Sequence, residues 1–265
     1  MHPTQDFLMN SPWLGGSIFV LTAVLMALTC YAVVRSLLAA HITDDSELLS
    51  ARLIGRLGTL HALILALIFA QEIADYRSIY TLVSKEASAI SDVYRALQDY
   101  DAQQPGPGAA LRTLILDYLT DLMRIERTAL AEDRPSYRSS LEHQRINRQL
   151  LNLHAANDRQ RDLRAQMLAD WDKVSEFHLR LRTTAHNEVP HFLWLVMVTG
   201  FLVVVFPCYV YKPKLANLAT LSVFAGFNGI VMYLIFSIAN PFTGPGAIES
   251  TALVDLLNMM SSTAR

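Results

Sequence analysis

Charge is scarce in this sequence. Of its 265 residues only 17% are Asp, Glu, Lys or Arg, against about 25% in an ordinary soluble domain. The 22 basic and 24 acidic side chains leave a formal net charge of −2. No basic run interleaved with aromatics occurs, so no nucleic-acid partner is expected. Cysteine is nearly absent. Cys30 and Cys208 both lie in apolar runs and form no CxxC pair. They read as small apolar filler, without a disulfide framework and without fixing a compartment. The common catalytic signatures are missing too: no GxxxxGK followed by Ser or Thr, no GxGxxG, no HExxH and no GxSxG. No Ser, Cys or His in the apolar segments has the neighbours of a nucleophile or base. Neither an enzyme nor a bound cofactor is expected. The N-terminal "MHPTQDFLMNSPWLGG" lacks Lys and Arg. The long apolar run after it has no A-x-A-like end, which argues against a cleaved leader and for a retained membrane anchor.

What is abundant is apolar surface, 52% of the residues. It sits in two blocks, one in the first 75 residues and one from about residue 192 to 240. A membrane span needs about 20 predominantly apolar residues. Four segments meet or nearly meet this: Leu14 to Val34, Leu57 to about Ile73, Phe192 to Tyr211, and Leu215 to Ile238. Trp13, Trp194, Tyr209 and Tyr211 lie near their ends, where aromatic side chains suit the water–lipid boundary. The fold class expected is therefore all-α: a polytopic membrane protein with four transmembrane helices as two hairpins. Residues 1–74 make the first hairpin and 191–240 the second. Residues 75–190 form an extramembrane helical stalk and bundle, and 241–265 a Pro/Gly turn with a short amphipathic tail helix.

Short connections carry the orientation signal. Arg35, Arg52 and Arg56 lie around the first connection and Lys212 and Lys214 in the second, while the N-terminal tail has neither Lys nor Arg. Both connections fall on one face, which reads as cytoplasmic. The extramembrane bundle then reads as outward-facing. Asp44, Asp45 and Ser46 are the candidate caps of a helix starting near Glu47.

From Ile73 the apolar positions step by three and four: Ile73, Tyr76, Tyr80, Val83, Ala87, Ile90, Tyr94, Leu97. This is a heptad seam. Nothing interrupts it after the second span, so one helix is expected to leave the bilayer and continue as a stalk to about Gln98. "QQPGPG" ends it. A further helix spans roughly Ala109 to Ala131. Tyr137 to His186 reads as one or two helices with the stripe Leu163, Met167, Trp171, Val174, Phe177 and Leu181. Together these make an antiparallel bundle.

The second span carries the candidate site. At 100° per residue, His61, Leu65, Ile68, Glu72 and Asp75 fall within roughly 80° of one another. Ionisable groups at membrane depth face protein or water rather than lipid. An acidic mouth above an apolar constriction is how a channel lines its pore. The plainer alternative is interfacial acids and a packing histidine. Gly58, Ala62, Ala66, Ala70 and Ala74 form a small-residue ladder on the same span, suited to close helix packing in lipid. Asn228 in "AGFNG" reads as an interhelical hydrogen-bonding amide. Pro207 is expected to kink or end the third span. His186, Glu188 and His191 have metal-ligand chemistry, but a proline stands between them and a fourth ligand is missing; as with His41, no metal site is expected.

Four stretches together resemble the bestrophin-like domain proteins of bacteria: "GTLHALILALIFAQE", "SKEASAISDVYRAL", "LRLRTTAHNEVPHFLW" and "IANPFTGPG". Their order and the two-plus-two arrangement of spans match as well, so the resemblance covers most of the chain. It marks Glu86, Tyr94, Arg95, Pro241, Phe242 and Gly244 as family-typical positions. Where the family usually has an acid before Pro-Phe, this chain has Asn240. No catalytic residues come with the family. The resemblance implies a bacterial inner-membrane protein and an oligomeric ion channel. Its partners would be the lipid bilayer, copies of itself and inorganic ions, and the acids of the second span lean toward cations. The competing expectation is a non-conducting, membrane-anchored helical interaction or sensor protein that uses the heptad seam.

Overall fold

The computed structural model describes residues 12–103, 107–123, 137–185, 189–242, 247–248 and 251–263. All regular structure among them is helical. Eight α-helices follow in order: α1 (Pro12–Leu38), α2 (Asp44–Gln103), α3 (Pro107–Asp121), α4 (Tyr137–Asn152), α5 (Asp158–Ala185), α6 (His191–Val205), α7 (Leu215–Ile238) and α8 (Thr251–Thr263). Four helical segments are long and apolar enough to cross a membrane: Trp13–His41, part of Ser46–Ala102, His191–Val210 and Leu215–Ile238. The two spans from the second apolar block and the unbroken stalk match the expectation from sequence. The chain divides into two compact units. The membrane unit comprises residues 1–76 and 188–247, and the extramembrane unit 77–187 and 248–265.

In the membrane unit α1 and α7 pack antiparallel at close range, and glycine is the reason. A Cβ placed on Gly229 would lie 2.8 Å from the carbonyl oxygen of Phe19 and 2.9 Å from Cα of Val20. Without a hydrophobic drive between helices in lipid, such backbone approach is what holds spans together. Gly226 faces Val20 and Val24 with ordinary contact distances. Ala27, Met197, Phe201, Val205, Ala225 and Ile235 are fully enclosed around this contact. Pro207 ends the third span: α6 stops at Val205 and passes into a 3-10 turn, Phe206–Val210. The end of that turn is tied to the first span. Arg35 Nη1 donates to the carbonyls of Tyr209 and Tyr211 at 2.7 Å each, and the Tyr31 hydroxyl donates to Tyr211 at 2.8 Å.

Helix α2 starts at Asp44, earlier than expected, because the cap is Thr43. Its hydroxyl accepts from the Ser46 N–H, and the Ser46 hydroxyl oxygen accepts from the Thr43 N–H at 2.9 Å. Ser46 is thus the reciprocal partner of a capping box rather than the cap itself.

In the extramembrane unit the heptad seam is enclosed from Val83 through Ala87, Ile90, Tyr94 and Leu97, while Tyr80 is exposed. Asp101 near the end of α2 ties to the start of α3: its carboxylate accepts from the Gly108 N–H at 2.8 Å and pairs with Arg112 at 2.9 Å. Residues 137–185 form two helices. Asn157 Oδ1 accepts from the Gln160 N–H at 2.8 Å, and Gln160 Oε1 accepts from the Ala156 N–H at 2.8 Å, which starts α5. The expected α5 stripe holds: Met167, Trp171, Val174 and Leu181 are buried. The tail helix α8 buries Leu253, Leu256 and Met260 within the same unit.

Candidate functional site

The second membrane helix does not present His61 and Glu72 outward. His61, Leu65, Ile68 and Glu72 are 4%, 6%, 6% and 7% exposed. The face expected to line a pore is turned into the chain's own membrane unit. The physical reason is the one that marked it in the sequence: an imidazole and a carboxyl at membrane depth cost least against protein. Asp75, one turn beyond, is half-buried and accepts from the exposed Gln71 amide at 3.2 Å.

Three helices meet at His61. Its Nε2 lies 3.0 Å from Oδ1 of Asn228 on α7. Asn228 Nδ2 donates to the Phe224 carbonyl at 2.9 Å, so its Oδ1 accepts and His61 donates from Nε2. On the third side stands Gly200 of α6. A Cβ there would come 2.7 Å from His61 Nδ1, so no other residue leaves the ring this space. Gly200 was not singled out by sequence reasoning. The available signal was a lone glycine at mid-span in "VTGFL", opposite a neighbouring span's histidine.

With His61 and Glu72 turned inward, another face of the membrane-spanning part of α2 is uncovered. Leu60, Leu63, Ile64 and Leu67 are 57%, 66%, 39% and 72% exposed. With Gln71 they fall within roughly 100° of helix surface. Arg56 lies exposed at one end of this stripe and Gln71 with Asp75 at the other. Ala62, Ala66 and Ala70 are exposed along its flank, whereas Gly58 is half-buried beside Val204.

The family-typical residues separate by location. Glu86 is 1% exposed and its Oε1 lies 3.0 Å from Nδ1 of His178 on α5. Beside it His143 stacks on Trp171, with ring centroids 4.6 Å apart and an interplanar angle of 14°, and bonds Ser175. Burial, reinforced by the charge of His178 and opposed by Asp172, pushes the His143 imidazole down to about 4. The Tyr94 hydroxyl donates to the Met260 carbonyl of the tail helix at 3.3 Å, while Arg95 is exposed. Pro241 is buried and Phe242 half-buried after α7. Gly244, His186 and Glu188 lie outside the described residues.

Four membrane helices keyed by the internal His61–Asn228 contact, with a separate all-helical bundle, define a polytopic membrane protein. A Bestrophin-like domain model matches residues 21–253, and the chain belongs to that family. Solved structures with this fold include a point variant of a bacterial bestrophin homologue from Klebsiella pneumoniae (15% identity, TM-score 0.66), covering 94% of this chain and 97% of that one. Another determination of that homologue, by zinc phasing, has 15% identity and TM-score 0.66 with coverages of 93% and 96%. At this identity the likeness is one of fold. No curated protein matches the chain by sequence.

Proposed function

We propose that the chain assembles with copies of itself around an axis to form an ion channel in the bacterial inner membrane, with the second membrane helix lining the pore. The observation that carries this is the uncovered stripe of α2. A helix that encloses His61 and Glu72 still exposes Leu60, Leu63, Ile64 and Leu67 between polar ends. Membership of the bestrophin-like family supports the same reading. In the assembly this stripe, rather than His61, Leu65, Ile68 and Glu72, faces the axis. Its leucines form the apolar constriction. Asp75 and Gln71 stand at the bundle-side mouth, where the carboxylate favours cations. Ala62, Ala66 and Ala70 set the spacing to the adjacent copy. The two connections face the cytoplasm and the bundle lies outside.

Purified protein in planar bilayers should carry currents, with unitary conductance raised in Leu67→Ala and unchanged in Leu65→Ala. Silence across salts and voltages would reject the channel. A response to Leu65→Ala but not Leu67→Ala would return the lining to the enclosed face. The interaction-protein alternative has less to use, because its seam is buried from Val83 to Leu97.

A further inference from the structure

The membrane unit contains a cavity of about 480 Å³ between α1, α6 and α7. Its two ends differ in polarity, with Thr22 adding one hydroxyl beside Ala23. His191, Trp194 and Asn240 line the end where α6 begins and α7 finishes, and Ala23, Val198 and Met232 line the inner end. His191 to Val198 is seven residues and Met232 to Asn240 eight, so the cavity runs about 10–12 Å inward at 1.5 Å per residue. That is most of one leaflet of a hydrocarbon core about 30 Å thick. Phe19 and Phe236, 5.5 Å apart, form one wall, and Trp194 meets Phe236 edge-on at 6.4 Å.

Shape and chemistry select the occupant. Dividing the volume by the depth gives a cross-section on the order of 40 Å², about half that of a helix 10 Å across. A polymethylene chain enters a channel of this width, whereas a helix of a second copy could only lie across its open side. The volume lies within the about 300–1,000 Å³ of ligand pockets, as does the pattern of apolar walls with few polar groups. At the mouth the imidazole and indole N–H groups are donors suited to a phosphate. Asn240 Nδ2 donates to the Phe236 carbonyl at 2.7 Å, which leaves its Oδ1 to act as an acceptor for a head-group donor. No Asp or Glu is among the described residues that line the cavity.

We propose that this cavity binds one acyl chain of a membrane glycerophospholipid, with the head group held at His191, Trp194 and Asn240. The site rests on the membrane unit alone and does not depend on conduction.

The test is native mass spectrometry of the full chain extracted in mild detergent from vesicles of phosphatidylethanolamine and phosphatidylglycerol. One phospholipid per chain should be retained. Retention should fall about tenfold in Val198→Trp and in Thr22→Trp, each of which places an indole in the cavity. It should fall less in His191→Ala, which loses only a head-group contact. Thermal unfolding in detergent identifies variants that still fold, and Thr22, being exposed, is the milder change. A folded wild type that retains no lipid, or filled variants that retain as much, would overturn the site. So would a photocrosslinker at Thr22 that captures a second copy of the chain instead of lipid.

Discussion

His61 on the second membrane helix and Asn228 on the fourth are joined by a hydrogen bond of 3.0 Å inside the membrane unit. The amide also donates to Phe224, which assigns the proton of the pair to His61 Nε2. Replacing either residue alone strands the other in an apolar surround. His61→Leu and Asn228→Leu should each lower stability by roughly 1–2 kcal/mol. The double substitution should cost less than the sum. Thermal unfolding in detergent, run as a double-mutant cycle, reads the coupling. Strict additivity would show that the pair is not an energetic contact.

Gly229 and Gly226 occupy the same helix but different surroundings. A methyl group at Gly229 meets the backbone of Phe19 and Val20, which has no rotamer with which to yield. Gly229→Ala should therefore destabilise by about 1–3 kcal/mol, as overpacking does. Gly226→Ala, facing the side chains of Val20 and Val24 at 3.5 Å or more, should be nearly silent. Equal unfolding midpoints for the two variants would contradict this geometry.

The extramembrane unit should weaken on acidification. His143 titrates at about 4 in the fold against an ordinary 6.5. Between those values the unfolded chain binds a proton that the folded one does not, so stability rises with pH there. The contribution is whole above pH 6.5 and is lost as pH falls toward 4. After discounting for partial solvent access it is on the order of 2 kcal/mol. Trp171 fluorescence melts at pH 7 and pH 4.5 should show the loss, and His143→Gln should reduce it. A variant with the wild-type pH dependence would assign the effect to other groups.

If Asp75 stands at the pore mouth, removing its charge should change selectivity more than conductance. Asp75→Asn is expected to lower the cation-to-anion permeability ratio severalfold under a salt gradient, and Glu72→Gln, enclosed in the membrane unit, to leave it near wild type. The reversal potential measures both. The opposite order would place Glu72, not Asp75, in the ion path.

Charge in the two short connections predicts that the C-terminus faces away from the cytoplasm. An alkaline phosphatase fused after Arg265 should be active, and green fluorescent protein at the same place dark. The reverse pattern would invert the whole topology and put the bundle in the cytoplasm.

Much of the fold was legible because its signals are local. Twenty apolar residues between aromatics need only the bilayer's thickness to become a span, and Pro207 and "QQPGPG" stop a helix wherever they occur. The alternation of three and four from Ile73 to Leu97 announced a stalk with one buried side, since helical geometry repeats regardless of what lies opposite. The small-residue ladder was legible as a packing face, but its outward placement was not. Ala62, Ala66 and Ala70 are exposed in the chain, and the close backbone approach belongs to Gly229. Which glycine contacts a backbone depends on the neighbour's position, which residue type does not encode.

What the sequence determined by itself is the set of spans, the unbroken helix from membrane to bundle, and the need for His61 and Glu72 to avoid lipid. Only the tertiary structure decided where they turn instead. Burial against protein and exposure to a water-filled axis both meet the energetic requirement of an ionisable group in a membrane. Helical periodicity names the face without naming its neighbour. Gly200 and Asn228, 139 and 167 residues along the chain from His61, supply the space and the acceptor that draw this face inward. The leucine stripe is left outside by that choice.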